Sequence, residues 1–181
     1  IDFKVNIAKR FQLYGQVMFD EFKLSEIKKR DGWWANKWAL QLGGKYIDAF
    51  GVKNLDLQLE TNLVRPFTYS HNDTIANYTH YNQPLAHPLL SNIREMVAIA
   101  RYQPAPKWYI QGRLSGWLGG SDTAGKNFGN NIFRDNDTRA QERGNNFGSA
   151  VETQWMNANF WVAYEWKENF FIETNIYLRK T

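Results

Sequence analysis

Along much of the chain, apolar and polar residues alternate with a period of two. Leu55, Leu57, Leu59, Thr61 and Leu63 interleave with Asp56, Gln58, Glu60 and Asn62. Successive side chains of a β-strand point to opposite faces, so this run predicts a strand with one apolar and one polar face. The same reading sets Ile1, Phe3, Val5 and Ile7 against Asp2, Lys4 and Asn6, and Leu13, Gly15, Val17 and Phe19 against Gln12, Tyr14, Gln16 and Asp20. It sets Trp38, Leu40, Leu42, Gly44 and Tyr46 against Lys37, Gln41 and Lys45, and Trp108, Ile110, Gly112, Leu114 and Leu118 against Tyr109, Gln111, Arg113 and Ser115. Two further strands set Phe160, Val162, Tyr164 and Trp166 against Asn159, Trp161 and Glu165, and Phe170, Ile172, Thr174, Ile176 and Leu178 against Glu173, Asn175 and Arg179. The stretch from Glu95 to Tyr102 is less regular, because Val97 and Ile99 share a face with Glu95 and Arg101. About eight strands result, most near the roughly 9 to 11 residues that cross a bilayer when tilted.

No Asp, Glu, Lys or Arg falls on the apolar face of these expected strands. A lipid-facing surface imposes that exclusion, since Arg or Lys at the bilayer midplane costs about 2–4 kcal/mol. A soluble sandwich has the same alternation, so periodicity alone does not separate the two. Connection lengths and aromatic placement favour the membrane. Residues 8–10, 49–53, 103–106 and 167–169 read as tight turns, and residues 23–36, 64–94 and 119–147 as long outer loops. Short turns at one rim and long loops at the other are the rhythm of outer-membrane barrels. Phe11, Tyr46, Tyr102, Trp108, Trp166 and Phe170 lie beside the short connections, and Phe19, Trp33, Trp34 and Trp38 beside a long one. Two aromatic bands at two water–lipid interfaces are expected of such a wall. The expected fold is all-β: an antiparallel up-and-down transmembrane β-barrel, one domain over residues 1–181. Both chain ends fall on the long-loop side, which predicts that these strands belong to a larger barrel.

Composition agrees. Aromatic residues make up 16% of the 181, more than a soluble core of this size needs but natural for interfacial girdles. Mean hydropathy is −0.58, too polar for a helical membrane protein. Ile1 opens no signal-peptide pattern, so the chain reads as mature or cut from something longer. With no cysteine, disulfides and thiolate metal sites are excluded. The formal charge of +4 is spread among interleaved acids and bases, which points away from nucleic acid.

The candidate chemistry lies in the long loops. The loop 64–94 holds all three histidines, His71, His80 and His87, with Asp73 nearby. Their spacing matches no metal-ligand pattern, so no metal is expected. The plain expectation is an ordered loop in which Tyr69, Tyr78 and Tyr81 pack together or fold into the lumen. A saccharide surface is the functional alternative, because aromatic rings stack on sugars while amides and imidazoles bond hydroxyls. Its candidate residues are Trp33, Trp34, Tyr69, His71, Tyr78, His80, Tyr81, Asn82 and His87. The loop 119–147, rich in Gly, Asn and Asp, lacks EF-hand spacing and reads as a flexible polar loop. No nucleophile elbow, phosphate loop or zinc-protease motif occurs, so no catalytic residue and no cofactor are expected. On the polar face, Asp56, Glu60 and Glu173 are expected to pair across strands with Lys4, Lys45, Arg113 and Arg179. Trp117, Trp161, Tyr14 and Tyr177 point inward and predict a filled interior.

Three segments carry a family likeness: Asp31-Gly32-Trp33-Trp34-Ala35-Asn36-Lys37, Arg65-Pro66-Phe67-Thr68-Tyr69-Ser70-His71, and Asn82-Gln83-Pro84-Leu85-Ala86-His87-Pro88-Leu89. They resemble segments of the Wzi-like capsule-assembly outer-membrane barrels, nearest the gliding-motility RemB-like branch, over the later part of such a protein. The resemblance implies a non-enzymatic protein of the bacterial outer membrane, in contact with membrane lipid. It implies that the protein holds or organises surface polysaccharide, or serves an adhesion, gliding or secretion assembly alongside other outer-membrane proteins. A diffusion channel is the remaining alternative.

Overall fold

A computed structural model, which describes residues 1–123 and 125–181, has ten strands: the eight alternating segments and two short strands within residues 65–92, read from the sequence as loop. They are β1 (Asp2–Ile7), β2 (Phe11–Glu21), β3 (Lys37–Tyr46), β4 (Leu55–Val64), β5 (Thr79–His80), β6 (Gln83–Pro84), β7 (Ile93–Tyr102), β8 (Trp108–Ser121), β9 (Val151–Lys167) and β10 (Phe170–Lys180). Strands β5 and β6 form a small hairpin of their own. The other eight form one antiparallel sheet in the order β1-β2-β3-β4-β7-β8-β9-β10. With the hairpin set aside, each strand pairs with its neighbours in sequence. The sheet is open, with β1 and β10 as its edges, and every residue of both edge strands is exposed. Among the described residues no helix is long and apolar enough to cross a membrane.

The register carries the alternation unbroken across the sheet. Val5 faces Leu13, Leu13 faces Gly44, Gly44 faces Leu59 and Leu59 faces Ala98. Ala98 in turn faces Leu114, Leu114 faces Ala158 and Ala158 faces Leu178. A slip of one residue in any pair would send that strand's apolar set to the other side, so the matched pattern fixes the register. The result is one apolar face and one polar face over eight strands.

Three charges depart from the sequence expectation. Strand β7 begins at Ile93, which puts Arg94 on the apolar face opposite Leu63 and Leu118. Glu152 of β9 and Lys180 of β10 share that face, opposite Gly120 and Met156. All three stand at the long-loop ends of their strands, and Arg94 stacks over Phe147 with its guanidinium 4.7 Å from the ring centroid. The irregular stretch at β7 is explained as well. Val97 and Ile99 do lie on the polar face, where Val97 is buried and both line a cavity with Leu85, Ala86 and Pro88 of the loop after β4.

Short and long connections alternate. Residues 8–10, 47–54, 103–107 and 168–169 join strands at one end, and residues 22–36, 65–92 and 122–150 at the other. A short helix, α1 (Leu24–Lys29), lies in the first long loop. Strands β8 and β9 are longer than the alternation predicts, at 14 and 17 residues: Gly119, Gly120 and Ser121 extend the end of β8, and Glu152 and Gln154 on the apolar face hide the start of β9.

Candidate functional site

At the long-loop end, the polar face carries a row that is not polar. Met18 faces Ala39, Ala39 faces Val64 and Val64 faces Ile93. Tyr69 and Ile132 from two different loops are buried with Val64 and Ile93, and Leu89, Leu90 and Trp117 pack against them. The long loops therefore fold back over the polar face and share a small core with it. Burying a side chain of this size contributes about 1.5–3 kcal/mol, which offsets part of the entropy lost when the loops are ordered.

Asparagines complete this cap. Asn92 donates through Nδ2 to the carbonyl oxygens of Gly120 and Ser149, and its Oδ1 accepts from Gly148 N–H. Asn136 Nδ2 donates to Ser70 O, Asn130 Nδ2 to Ser91 O, and Asn145 Nδ2 to Gly32 O and Gln141 O. Asn92, Asn127, Asn136 and Asn145 are buried. Each substitutes its amide for a missing backbone partner, as buried loop backbone requires. Gly129, at φ +77°, lets its carbonyl accept from Phe67 N–H, and a Cβ there would sit 2.4 Å from that nitrogen. The loop 119–147 is thus a packed element, not the flexible polar loop expected, with Ala124 outside the described residues. Asn leaves a loop loose only where its amide finds no partner, and here the amides are bonded.

Charged groups tie the cap to the strands. Lys37 is fully buried; its ammonium donates to Ser70 O at 2.8 Å and to Glu21 Oε1 at 3.1 Å. Arg65 donates from Nη2 to Trp33 O and Asn145 O, and burial lowers its pKa from the ordinary arginine value. The Tyr69 phenol is pushed up to about 12, first by burial and then by Tyr78 and Asp20 nearby.

Beneath the loop after β4 lies a cavity of about 680 Å³ on the polar face. Its floor is a hydrogen-bonded chain. Tyr14 of β2 reaches across Gly43 of β3, where a Cβ would fall 2.3 Å from the ring, and donates to Glu60 Oε2 of β4 at 2.6 Å. Gln41 and Asn62 donate to the other oxygen of Glu60. Asn62 Nδ2 also donates to Glu95 Oε2 of β7, at 2.9 Å, and His87 Nε2 meets that same oxygen at 3.0 Å. A second hollow of about 540 Å³ towards β1 shares Gln16, Gln41, Gln58 and Glu60 with the first.

The expected cross-strand ion pairs do not form. Glu60 is held by Tyr14, Gln41 and Asn62; Asp56 accepts from Asp48 N–H; Glu173 accepts from Trp161 Nε1. Neutral donors, from the same strand, the preceding turn or up to two strands away, reach these carboxylates first. Arg179 stacks instead over Trp155 and Lys45 over Tyr14.

The nine candidate loop residues divide into two groups. Trp34 has Phe67 against its edge and both Lys37 and Arg139 near its ring, so it is committed to packing. Trp33 packs near Trp34 and takes Lys23 over its ring. Tyr69 is core, and Tyr78 stacks on it at 5.8 Å. His71 faces Asp20 and Glu21 at 3.5 and 3.8 Å, and His87 is bound to Glu95. His80, Tyr81 and Asn82 sit on the hairpin β5–β6, at and beside its turn. Tyr81 and Asn82 both have positive φ, as a two-residue hairpin turn demands, and Tyr81 is 88% exposed. The three histidines therefore go to separate places, and among the described residues no three His, Cys, Asp or Glu side chains gather as metal ligands. Sequence reasoning missed Lys37, Asn92, Asn136, Asn145 and Glu95. The density of Asn after residue 126 was a signal that could have pointed to Asn136 and Asn145; Lys37, Asn92 and Glu95 left none.

No protein-family model matches this chain, and no curated protein or solved structure matches it either.

Proposed function

We propose that this chain is wall and cap of a bacterial outer-membrane β-barrel that holds or organises surface polysaccharide without catalysing a reaction. The observation that carries the reading is the apolar face. Leu59, Met96, Leu114 and Phe160 are each about half exposed on it, and charge enters only at the long-loop rim. Soluble monomers rarely leave an apolar surface of eight strands uncovered. Lipid covers such a face at no cost, and Arg94, Glu152 and Lys180 at its rim reach the headgroup level.

The opposite face supplies the binding half of the reading. A groove floored by Gln, Asn and Glu and roofed by Tyr69 and Tyr78 offers the mixture of amides and rings that sugars use. The likeness to Wzi-like and RemB-like segments points the same way, because Trp33, Trp34, Tyr69, His71 and His87 are among the residues that build the roof and its anchors. Cell fractionation tests the membrane part: recovery in the outer membrane with a heat-dependent mobility shift in detergent is expected, and recovery in the soluble fraction overturns it. A pull-down with the host's own capsular polysaccharide tests the binding part.

A further inference from the structure

The carboxylates and the cations of the polar face are treated differently. Glu60 takes three hydrogen bonds from its neighbours, Glu95 is held by Asn62 and His87, and Glu173 by Trp161. Every ion pair among the described residues lies in the cap or at the cap end of a strand. Lys4, Lys45 and Arg113 enter none of them.

These cations are placed in order. Asn6 faces Gln12, Gln12 faces Lys45 and Lys45 faces Gln58. Gln58 faces Ile99, Ile99 faces Arg113 and Arg113 faces Asn159. This row crosses seven consecutive strands of the sheet and contains no acid. Lys4 stands one row nearer the cap, opposite Tyr14. Lys45 and Arg113 are three strand spacings apart, roughly 14 Å. The two hollows that share Gln58 join them into one groove, with Lys4 and Lys45 lining the first part and Arg113 the second. Asp2, the groove's remaining carboxylate, lies two rows from Lys45 at the β1 edge.

We propose that this row is a binding track for an acidic saccharide chain, one bearing carboxylates on its sugars. Lys4, Lys45 and Arg113 take the carboxylates, and Asn6, Gln12, Gln58 and Asn159 take hydroxyls along the chain between them. Glu60 stands one row and Glu95 two rows nearer the cap than this row, and each is turned to hydrogen-bond partners of its own. The inference rests on the saccharide reading above and adds the charge and place of the ligand.

The test uses the full chain purified in detergent, titrated by calorimetry with tetragalacturonate, with maltotetraose as the neutral match and monomeric galacturonate as the small-anion match. Tetragalacturonate is expected to bind roughly tenfold or more tighter than either, with affinity falling as salt rises. Lys45→Gln and Arg113→Gln are each expected to weaken it by roughly threefold or more and to leave maltotetraose unchanged. Both variants should keep the heat-dependent mobility shift, since neither cation supports the fold. Equal binding of acidic and neutral chains overturns the proposal, as does monomer binding as tight as tetramer, or indifference to both substitutions. A chain that passes the membrane fractionation and fails here keeps the barrel and loses the track; one found soluble loses both.

Discussion

Lys37 and Ser70 are 33 residues apart in sequence, and the Lys37 ammonium donates to the Ser70 carbonyl oxygen at 2.8 Å. The lysine side chain is wholly enclosed, with Glu21 as its counter-charge and the Trp34 ring 5.2 Å away. A buried ammonium needs such partners, because an isolated one is costly to keep from water. Lys37→Met keeps the apolar stem but removes the charged one of two donors to the Ser70 carbonyl, leaving Asn136 Nδ2, and takes the ammonium away from Glu21. The expected loss is about 2 kcal/mol. It should show as faster proteolytic nicking within residues 65–92, with the strands still protected.

Asn92 binds three backbone groups from two different segments. It also holds φ at 59°, a conformation asparagine tolerates better than most residues. Asn92→Ala should lower the denaturant midpoint by an amount equivalent to about 1–3 kcal/mol. Asn92→Asp retains the acceptor for Gly148 N–H and places a charge against two carbonyl oxygens, so it should cost at least as much. An aspartate variant as stable as the wild type would overturn the role assigned to the amide.

The apolar face makes a paired prediction. Leu59 and Gln58 are adjacent residues of β4 on opposite faces. Leu59→Lys is expected to cost about 2–4 kcal/mol in a lipid-facing setting and to reduce recovery in the outer membrane. Gln58→Lys should insert as well as the wild type. Equal recovery of the two variants would contradict the lipid-facing assignment.

The Tyr69 phenol, pushed up to about 12, sets an alkaline limit on the cap. In the unfolded chain a tyrosine ionises near 10. Between about pH 10 and 12 the unfolded state therefore loses this proton while the folded state keeps it, and stability falls as pH rises through that window. Below pH 10 the group makes no pH-dependent contribution. Tyr69→Phe should remove this part of the alkaline loss, measured as the difference in denaturant midpoint between pH 9 and pH 11.

The strand faces were legible in the sequence because period two is a local property; the cross-strand register was not, because it depends on which residues of separate strands meet. Val97 and Ile99 looked like errors in that pattern only because their partners, Leu85, Ala86 and Pro88, approach from a loop whose path no periodicity records. The cap was illegible for the same reason. Asn136 and Ser70 are 66 residues apart, and a side-chain amide bonding a distant carbonyl leaves no spacing to read. Among the candidate residues, Trp34, Tyr69, His71 and His87 were recognised as unusual, but their aromatic and imidazole chemistry serves packing and anchoring. The expected ion pairs failed at a finer level: register correctly placed charges on one face, yet Tyr14 and Asn62 were closer than any cation.

The apolar row from Met18 to Ile93 means that cap and wall were shaped together. Exposed loops are commonly treated as open to peptide insertion or exchange. Here the loops after β4 and β8 supply Tyr69 and Ile132 to a core whose other half is strand, so grafting a foreign loop would expose Val64 and Ile93. The tip at Tyr81 and Asn82, held only by its own turn, is the natural place to insert a tag. Variation in surface-exposed sequence should therefore concentrate there, while the rest of the cap changes only in step with the strands beneath it.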